Sequence, residues 1–200
     1  MNENSRLIEP IKIEASFVDI EFSDGLLHIE KDGKHGFINA CGNWIFEPRW
    51  EDCGRFSEGL AAVKQDGKWG FINTKGEIVI PCQWDEASVF SEGIAAVMRD
   101  DKHGFIDQSG NIISPIQWDY VELFIGGYSA VRQNGKYGLV DKEGRIICQP
   151  QWDEILWVSD GMAKVRIKKK VGFINAANGE LVLDFGISDE MVDCEISSLR

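Results

Sequence analysis

The 200-residue sequence contains no apolar run approaching the roughly 18 residues that a membrane-spanning helix needs, and its opening, MNENSRLIEP, lacks the basic-then-apolar form of a secretory leader. A cytoplasmic protein is therefore expected. Positive charge is scarce as well: 21 Lys and Arg stand against 33 Asp and Glu, for a formal net charge of −12. Such a chain repels phosphate backbones and anionic lipid, which argues against nucleic acid or a membrane surface as partner and permits a basic protein. The five cysteines, Cys41, Cys53, Cys82, Cys148 and Cys194, are odd in number and no two form a Cys-x-x-Cys pair. Neither a disulfide framework nor a zinc site is expected from them. No glycine-rich loop opens a helix in the manner of a phosphate cradle, so no nucleotide or other cofactor is expected.

Glycine, by contrast, is abundant and recurs on a fixed step. One glycine falls at Gly36, Gly70, Gly104, Gly138 and Gly172, 34 residues apart each time. A second recurs at Gly25, Gly59, Gly93, Gly127 and Gly161, and a tryptophan at Trp50, Trp84, Trp118 and Trp152. Three markers in one register define five tandem copies. A 34-residue period also suits helix-hairpin arrays of the tetratricopeptide kind, but glycines and a proline at fixed places in the copies would break both helices.

Within a copy the apolar runs are short and rich in β-formers. LAAVKQ (60 to 65) and KWGFIN (68 to 73) flank Asp66-Gly67, a strong signal for a two-residue hairpin. A second turn, Asn73-Thr74-Lys75-Gly76, leads into Glu77-Ile78-Val79-Ile80, and Pro81 stops that strand or confines it to an edge. Each copy thus reads as three short antiparallel strands. The expected fold is all-β: an elongated, curved array of five 34-residue three-stranded units at 21–54, 55–88, 89–122, 123–156 and 157–185, with a five-bladed propeller-like ring as the alternative. Residues 1–20 read as an N-terminal cap that a closed ring would borrow to complete its last unit. Residues 186–200 read as a C-terminal cap, with Ser188 as N-cap and Asp189 and Glu190 in the first turn of a short helix.

The motifs "DGKWGFIN…G…IP…W" and "FSEGLAAV" resemble the bacterial WG repeat, a family named for a tryptophan-glycine pair, over roughly residues 20 to 185. Only Trp69-Gly70 keeps the pair; His35, His103, Tyr137 and Val171 precede the glycine in the other copies. The resemblance implies an all-β repeat module that serves as an interaction scaffold, and it brings no catalytic motif.

The candidate residues divide into scaffold and departures from it. Trp50, Trp84, Trp118 and Trp152 are expected between neighbouring copies, because a three-stranded unit cannot bury its face alone. Gly36, Gly70, Gly104, Gly138 and Gly172 belong to the same scaffold. Repeated aromatics also stack on sugars, so a carbohydrate or cell-surface binding module is the rival reading, and it requires exposed tryptophans. The acids behind the tryptophans, Glu51, Asp85, Asp119 and Asp153, suit the capping of turn amides better than a calcium ion with its six to eight oxygens. His35 and His103 occupy the slot that Trp69 fills, and His28 lies on a strand beside Glu30 with no neighbouring nucleophile, so no catalytic residue is expected.

The departures fall in the fourth and fifth copies. FSEGL becomes Phe124-Ile125-Gly126-Gly127-Tyr128, and Leu123, Ile125, Tyr128, Leu156 and Trp157 are expected to form an apolar patch; Lys168, Lys169 and Lys170 put a basic tip on an acidic chain. These are the candidate partner-binding residues. The expected function is a non-enzymatic protein-binding scaffold, of the inhibitor or immunity type, that masks a basic partner such as a toxin.

Overall fold

In the computed structural model, which describes residues 15–18 and 21–184, Asp66 and Gly67 take φ of 51° and 74°. Both lie in the left-handed region that a type I′ turn requires, and the turn closes Leu60–Gln65 onto Lys68–Asn73 in register from Leu60↔Asn73 to Gln65↔Lys68. The same hairpin forms at Asp32-Gly33 and Asn134-Gly135. The third copy holds Asp100 and Asp101 at 52° and 58°, and the fifth holds Lys168 at 55°. Aspartate tolerates this region better than lysine does, so the fifth turn is the least favoured by its own sequence.

Five antiparallel sheets follow one another along the chain, and no helix occurs among the described residues. The first contains β1 (Phe17–Val18), β2 (Leu26–Lys31), β3 (Lys34–Asn39) and β4 (Trp44–Trp50). The second contains β5 (Asp52–Cys53), β6 (Leu60–Gln65), β7 (Lys68–Asn73) and β8 (Ile78–Trp84). The third contains β9 (Glu86–Ala87), β10 (Ile94–Arg99), β11 (Lys102–Asp107) and β12 (Ile112–Trp118). The fourth contains β13 (Tyr120–Val121), β14 (Tyr128–Gln133), β15 (Lys136–Asp141) and β16 (Ile146–Trp152). The fifth contains β17 (Glu154–Ser159), β18 (Met162–Ile167), β19 (Lys170–Asn175) and β20 (Leu181–Asp184).

The fold is the expected all-β tandem array, with one correction. Each unit has four strands and not three, because a short leading strand such as β5 pairs with its neighbour through Asp52↔Lys64 and Cys53↔Val63. That strand starts two residues after the tryptophan, so a sheet begins inside what the sequence period assigns to the end of the previous copy. At the N-terminal end β1 pairs with β2 of its own sheet, and among the described residues no strand joins the fifth sheet to the first. The C-terminal cap at 186–200 and most of the N-terminal cap at 1–20 lie outside the described residues.

The two repeated glycines serve different physical needs. At Gly70 the backbone of β8 bulges toward β7: Trp69 pairs with Trp84 but Phe71 pairs with Ile80. A Cβ on Gly70 would stand 2.6 Å from the Ile80 carbonyl oxygen and 2.6 Å from the Cys82 nitrogen, so only glycine fits beneath the bulge. Gly36, Gly104 and Gly138 meet the same backbone; Gly172 stands opposite Val165 as Gly70 does opposite Val63, but on its other side it pairs directly with Asp184. Gly59 instead has open space around it and φ of 82°, and it is needed for its backbone angle. The bulged strand is the outermost of its sheet, which is why it runs through Pro81 to Trp84 without loss of a ladder bond.

A single sheet has two faces and no core of its own. Among the described residues the apolar side chains gather into four buried clusters, each shared by consecutive sheets, and each takes in one of the repeated tryptophans. Trp84 lies among Phe71 and Ile80 of the second sheet and Phe90, Ala95 and Val97 of the third. Trp50, Trp84 and Trp118 are buried, and Trp152 is partly so. Phe56, Phe90 and Phe124 each reach back to a phenylalanine of the preceding sheet, with ring centroids 4.9, 4.8 and 4.9 Å apart. The Trp118 indole nitrogen donates to Ser114 Oγ at 3.1 Å; Phe46 and Ile80 hold that position in the first two sheets, and the Trp50 and Trp84 nitrogens are buried without an acceptor. Arg49 and Arg99 lie over Trp50 and Trp84, 4.5 and 4.4 Å from the ring centroids.

At about 150–250 Å² of ring and about 25 cal/mol per Å², each shared indole contributes about 4–6 kcal/mol as an upper bound. Trp118→Ala is expected to lower the unfolding free energy by about 3–5 kcal/mol, read from urea denaturation followed by circular dichroism. An unchanged midpoint would show that the indole carries no packing between sheets.

Candidate functional site

Each junction is clamped by the acid that follows its tryptophan. Glu51 accepts from the amides of Asp66 and Gly67, both at 3.0 Å. Asp85, Asp119 and Asp153 divide their oxygens between two sheets. One oxygen accepts from the turn amide of Asp100 (2.9 Å), Asn134 (2.7 Å) or Lys168 (2.5 Å); the other takes the ammonium of Lys68, Lys102 or Lys136 from the preceding sheet. The lysine hydrogen bond, followed by the turn amide, holds all three carboxyls below the usual aspartate range. Their oxygens are directed at separate turns and do not converge on a calcium-sized cage.

A second set of clamps joins the loops that precede β6, β10 and β14. Asp24 accepts from the Gly59 amide at 2.8 Å, Glu58 from Gly93 at 2.8 Å, and Glu92 from Gly126 and Gly127 at 2.6 and 2.9 Å. Glu92 also pairs with Lys142 at 2.9 Å; that ammonium, ahead of the amides, lowers its pKa. Beside these acids, Ser57 Oγ donates to the Phe90 carbonyl at 2.8 Å and Ser91 Oγ to the Phe124 carbonyl at 3.1 Å. Each of these acids and hydroxyls thus reaches forward to the next copy.

The fourth copy breaks this pattern. Ile125 stands where Ser57 and Ser91 do and Gly126 stands where Glu58 and Glu92 do, while Val158 replaces the repeated phenylalanine of the fifth copy. Ile125 carries no hydroxyl to donate forward and is 65% exposed, the highest of the exposed large apolar residues among the described residues. Leu123 is 43% exposed, Trp157 39% and Leu156 38%, and Leu123 and Trp157 hold the same position in adjacent copies. The Trp157 ring contacts Phe173 of its own sheet, centroids 5.7 Å apart. Tyr128 is half-buried and lines a cleft with Gly127, Lys142 and Ala177. Lys168, Lys169 and Lys170 are exposed on the hairpin between β18 and β19, which stands at the far end of β18 from the Asp160-Gly161 turn. The structure therefore places Ile125 and the lysine tip at opposite ends of the sheets and does not unite them in one site. Whether residues 186–200 cover the apolar group lies outside the described residues.

One cluster has no forerunner in the sequence reading. His28 on β2, His35 on β3 and Cys53 on β5 bring their ligand atoms within 4.8 Å of one another, with His28 Nε2 and His35 Nδ1 2.8 Å apart. The rings stack with centroids 5.0 Å apart, and the Phe37 and Phe17 rings lie 5.7 and 5.9 Å from His28. Motif spacing misses it because the residues come from two sheets. The available signal was the comparison of copies: Ala62, Ala96 and Ala130 occupy the position of His28, and Ala87, Val121 and Ile155 that of Cys53.

The clamps have a testable pH signature. Because the folded pKa values of Asp85, Asp119 and Asp153 lie below their unfolded values, their stabilisation is complete above the ordinary aspartate range, near pH 4, and is lost as pH falls through the folded values. Asp119→Asn is expected to lower the thermal midpoint at about pH 7, and the gap to the parent protein should narrow as pH falls below the ordinary aspartate range. A gap independent of pH would assign the loss to shape and not to charge.

Four tandem matches to the family described as WG containing repeat fall at residues 36–69, 69–102, 104–137 and 137–170. No curated protein matches the chain. Among solved structures, Hsv2p of Kluyveromyces lactis is similar with a TM-score of 0.50 at 11% identity, over 82% of this chain and 64% of that one. The computationally designed Ika8 protein has a TM-score of 0.49 at 12% identity, over 82% and 59%. The WD40 β-propeller domain of Doa1 has a TM-score of 0.38 at 14% identity, over 85% and 67%. The chain thus spans about three fifths of the length of the first two, and at these identities the likeness is one of fold alone. With the family's repeat matched across more than half of its length and its glycine explained by the bulge above it, the chain belongs to the WG-repeat family.

Proposed function

We propose that this chain is a non-enzymatic protein-binding scaffold that masks a basic surface on its partner, in the manner of an inhibitor or immunity protein acting in the cytoplasm. The observation that carries this reading is the fourth copy, where a serine and an acid of the repeat give way to Ile125 and Gly126 and leave Ile125, Leu123 and Trp157 in solvent. The scaffold gains nothing from that exchange, since it forfeits two side-chain clamps. Apolar and aromatic anchors dominate protein interfaces, and a net charge of −12 supplies the attraction for a basic rim around them. Sugar binding by the repeated aromatics requires accessible indoles, and Trp50, Trp84 and Trp118 are shut between sheets.

The protein encoded by the neighbouring gene is the first partner to test, by titration calorimetry at two salt concentrations. Ile125→Ser with Gly126→Glu restores the consensus of the other copies and is expected to preserve the fold. It should weaken binding by about 30-fold or more, the effect of a hot-spot loss of about 2 kcal/mol. Higher salt should weaken the parent complex. Equal affinity of parent and variant, or failure to bind, would sink the proposal.

A further inference from the structure

The first junction departs from the other three at two of three positions that meet across it. At the second junction these are Ala62, Trp69 and Ala87, with Trp69 and Ala87 packed on the cluster that holds Ala62. At the third they are Ala96, His103 and Val121, which line one cleft, and at the fourth Ala130 and Ile155 with Tyr137 against them. Each of these junctions fills the space with one ring and two aliphatic side chains. The first fills it with His28, His35 and Cys53, two imidazoles and a thiol.

Two imidazole nitrogens and a thiolate sulfur are the donors that a borderline-soft ion takes, whereas calcium and magnesium take oxygen. Around zinc, ligand distances of about 2.0–2.1 Å to nitrogen and about 2.3 Å to sulfur place tetrahedral ligand atoms about 3.3–3.6 Å apart. The two nitrogens stand 2.8 Å apart and all ligand atoms lie within 4.8 Å, so modest side-chain rotations complete the geometry. The surroundings are apolar: Cys53 is buried in a cluster with Phe37, Phe46 and Trp50, and the Phe37 ring lies 5.7 Å from His28. Such a shell limits solvent access and strengthens a metal–thiolate bond. Substitution of aliphatic residues by His and Cys at two of three converging positions, in one junction alone, is what a ligand set requires and what packing does not.

We propose that His28, His35 and Cys53 form a Zn²⁺ site that ties the first sheet to the second, with the fourth tetrahedral position left to an exogenous ligand. The test uses the full chain, reduced and freed of metal with a chelator, and titrated with Co²⁺ and then Zn²⁺. One equivalent of Co²⁺ should produce the thiolate charge-transfer and visible bands of a tetrahedral site, Zn²⁺ should abolish them, and Zn²⁺ should raise the thermal midpoint. His28→Ala with Cys53→Ala gives the first junction the residues that the second already carries at Ala62 and Ala87, so the variant should fold; it should lose both the bands and the midpoint shift. His103→Ala, at the position equivalent to His35, should keep both. Absence of the thiolate band at stoichiometric Co²⁺, its persistence in the double variant, or its loss in His103→Ala would each overturn the site.

Discussion

Every 34 residues one indole is shut between two sheets, and much else in the chain exists so that this can happen. A four-stranded antiparallel sheet has two faces, and a small one cannot keep both wet and remain folded. Sharing a tryptophan, together with a phenylalanine that reaches back from the next copy, turns two unstable sheets into a pair with a common core. The glycine that gives the family its name is subordinate to this contact. It makes room for the bulge through which the last strand turns Trp84 into the seam, and the acid at the next position fastens the following turn over the rim.

Because the scaffold's demands are the same at every junction, the junctions serve as controls for one another. The two central junctions meet these demands with phenylalanine, serine, acid and glycine in register. The outer two depart from them in opposite chemical directions, the first while keeping Phe56, the Asp24 clamp and Gly59. The first gains nitrogen and sulfur donors inside its seam, while the fourth loses the hydroxyl, the acid and the back-reaching ring and turns apolar side chains outward. Neither change improves packing, which is why both are assigned to ligands or partners.

The parts of the fold that were legible in the sequence are those fixed by near neighbours. Asp66-Gly67 announces its turn because positive φ is a property of two adjacent residues, and the period of 34 announces the array because each copy repeats the same local instructions. The leading strand escaped because Asp52–Cys53 is two residues long and has no pattern of its own; it is a strand only because β6 offers it an edge. The His28, His35 and Cys53 cluster escaped for a related reason, since separations of 7 and 18 residues become contacts only after two sheets have docked. In the other direction, the exposed Ile125 and the Lys168 tip read as one candidate set along the chain, yet the length of a strand keeps them apart.

The clamps between copies also have a direction. Asp24 reaches Gly59, Glu58 reaches Gly93 and Glu92 reaches Gly127, so each copy holds the next, and the two halves of every clamp are written within the same 34 residues. A duplicated copy therefore arrives with both halves, one to hold its successor and one to be held, and a new junction needs no new chemistry. Length in such an array is free to drift by whole units. Gly126 ends that freedom here: with no acid at this position, the fourth copy receives this clamp but does not pass it on, and it is the point at which the series stops being interchangeable.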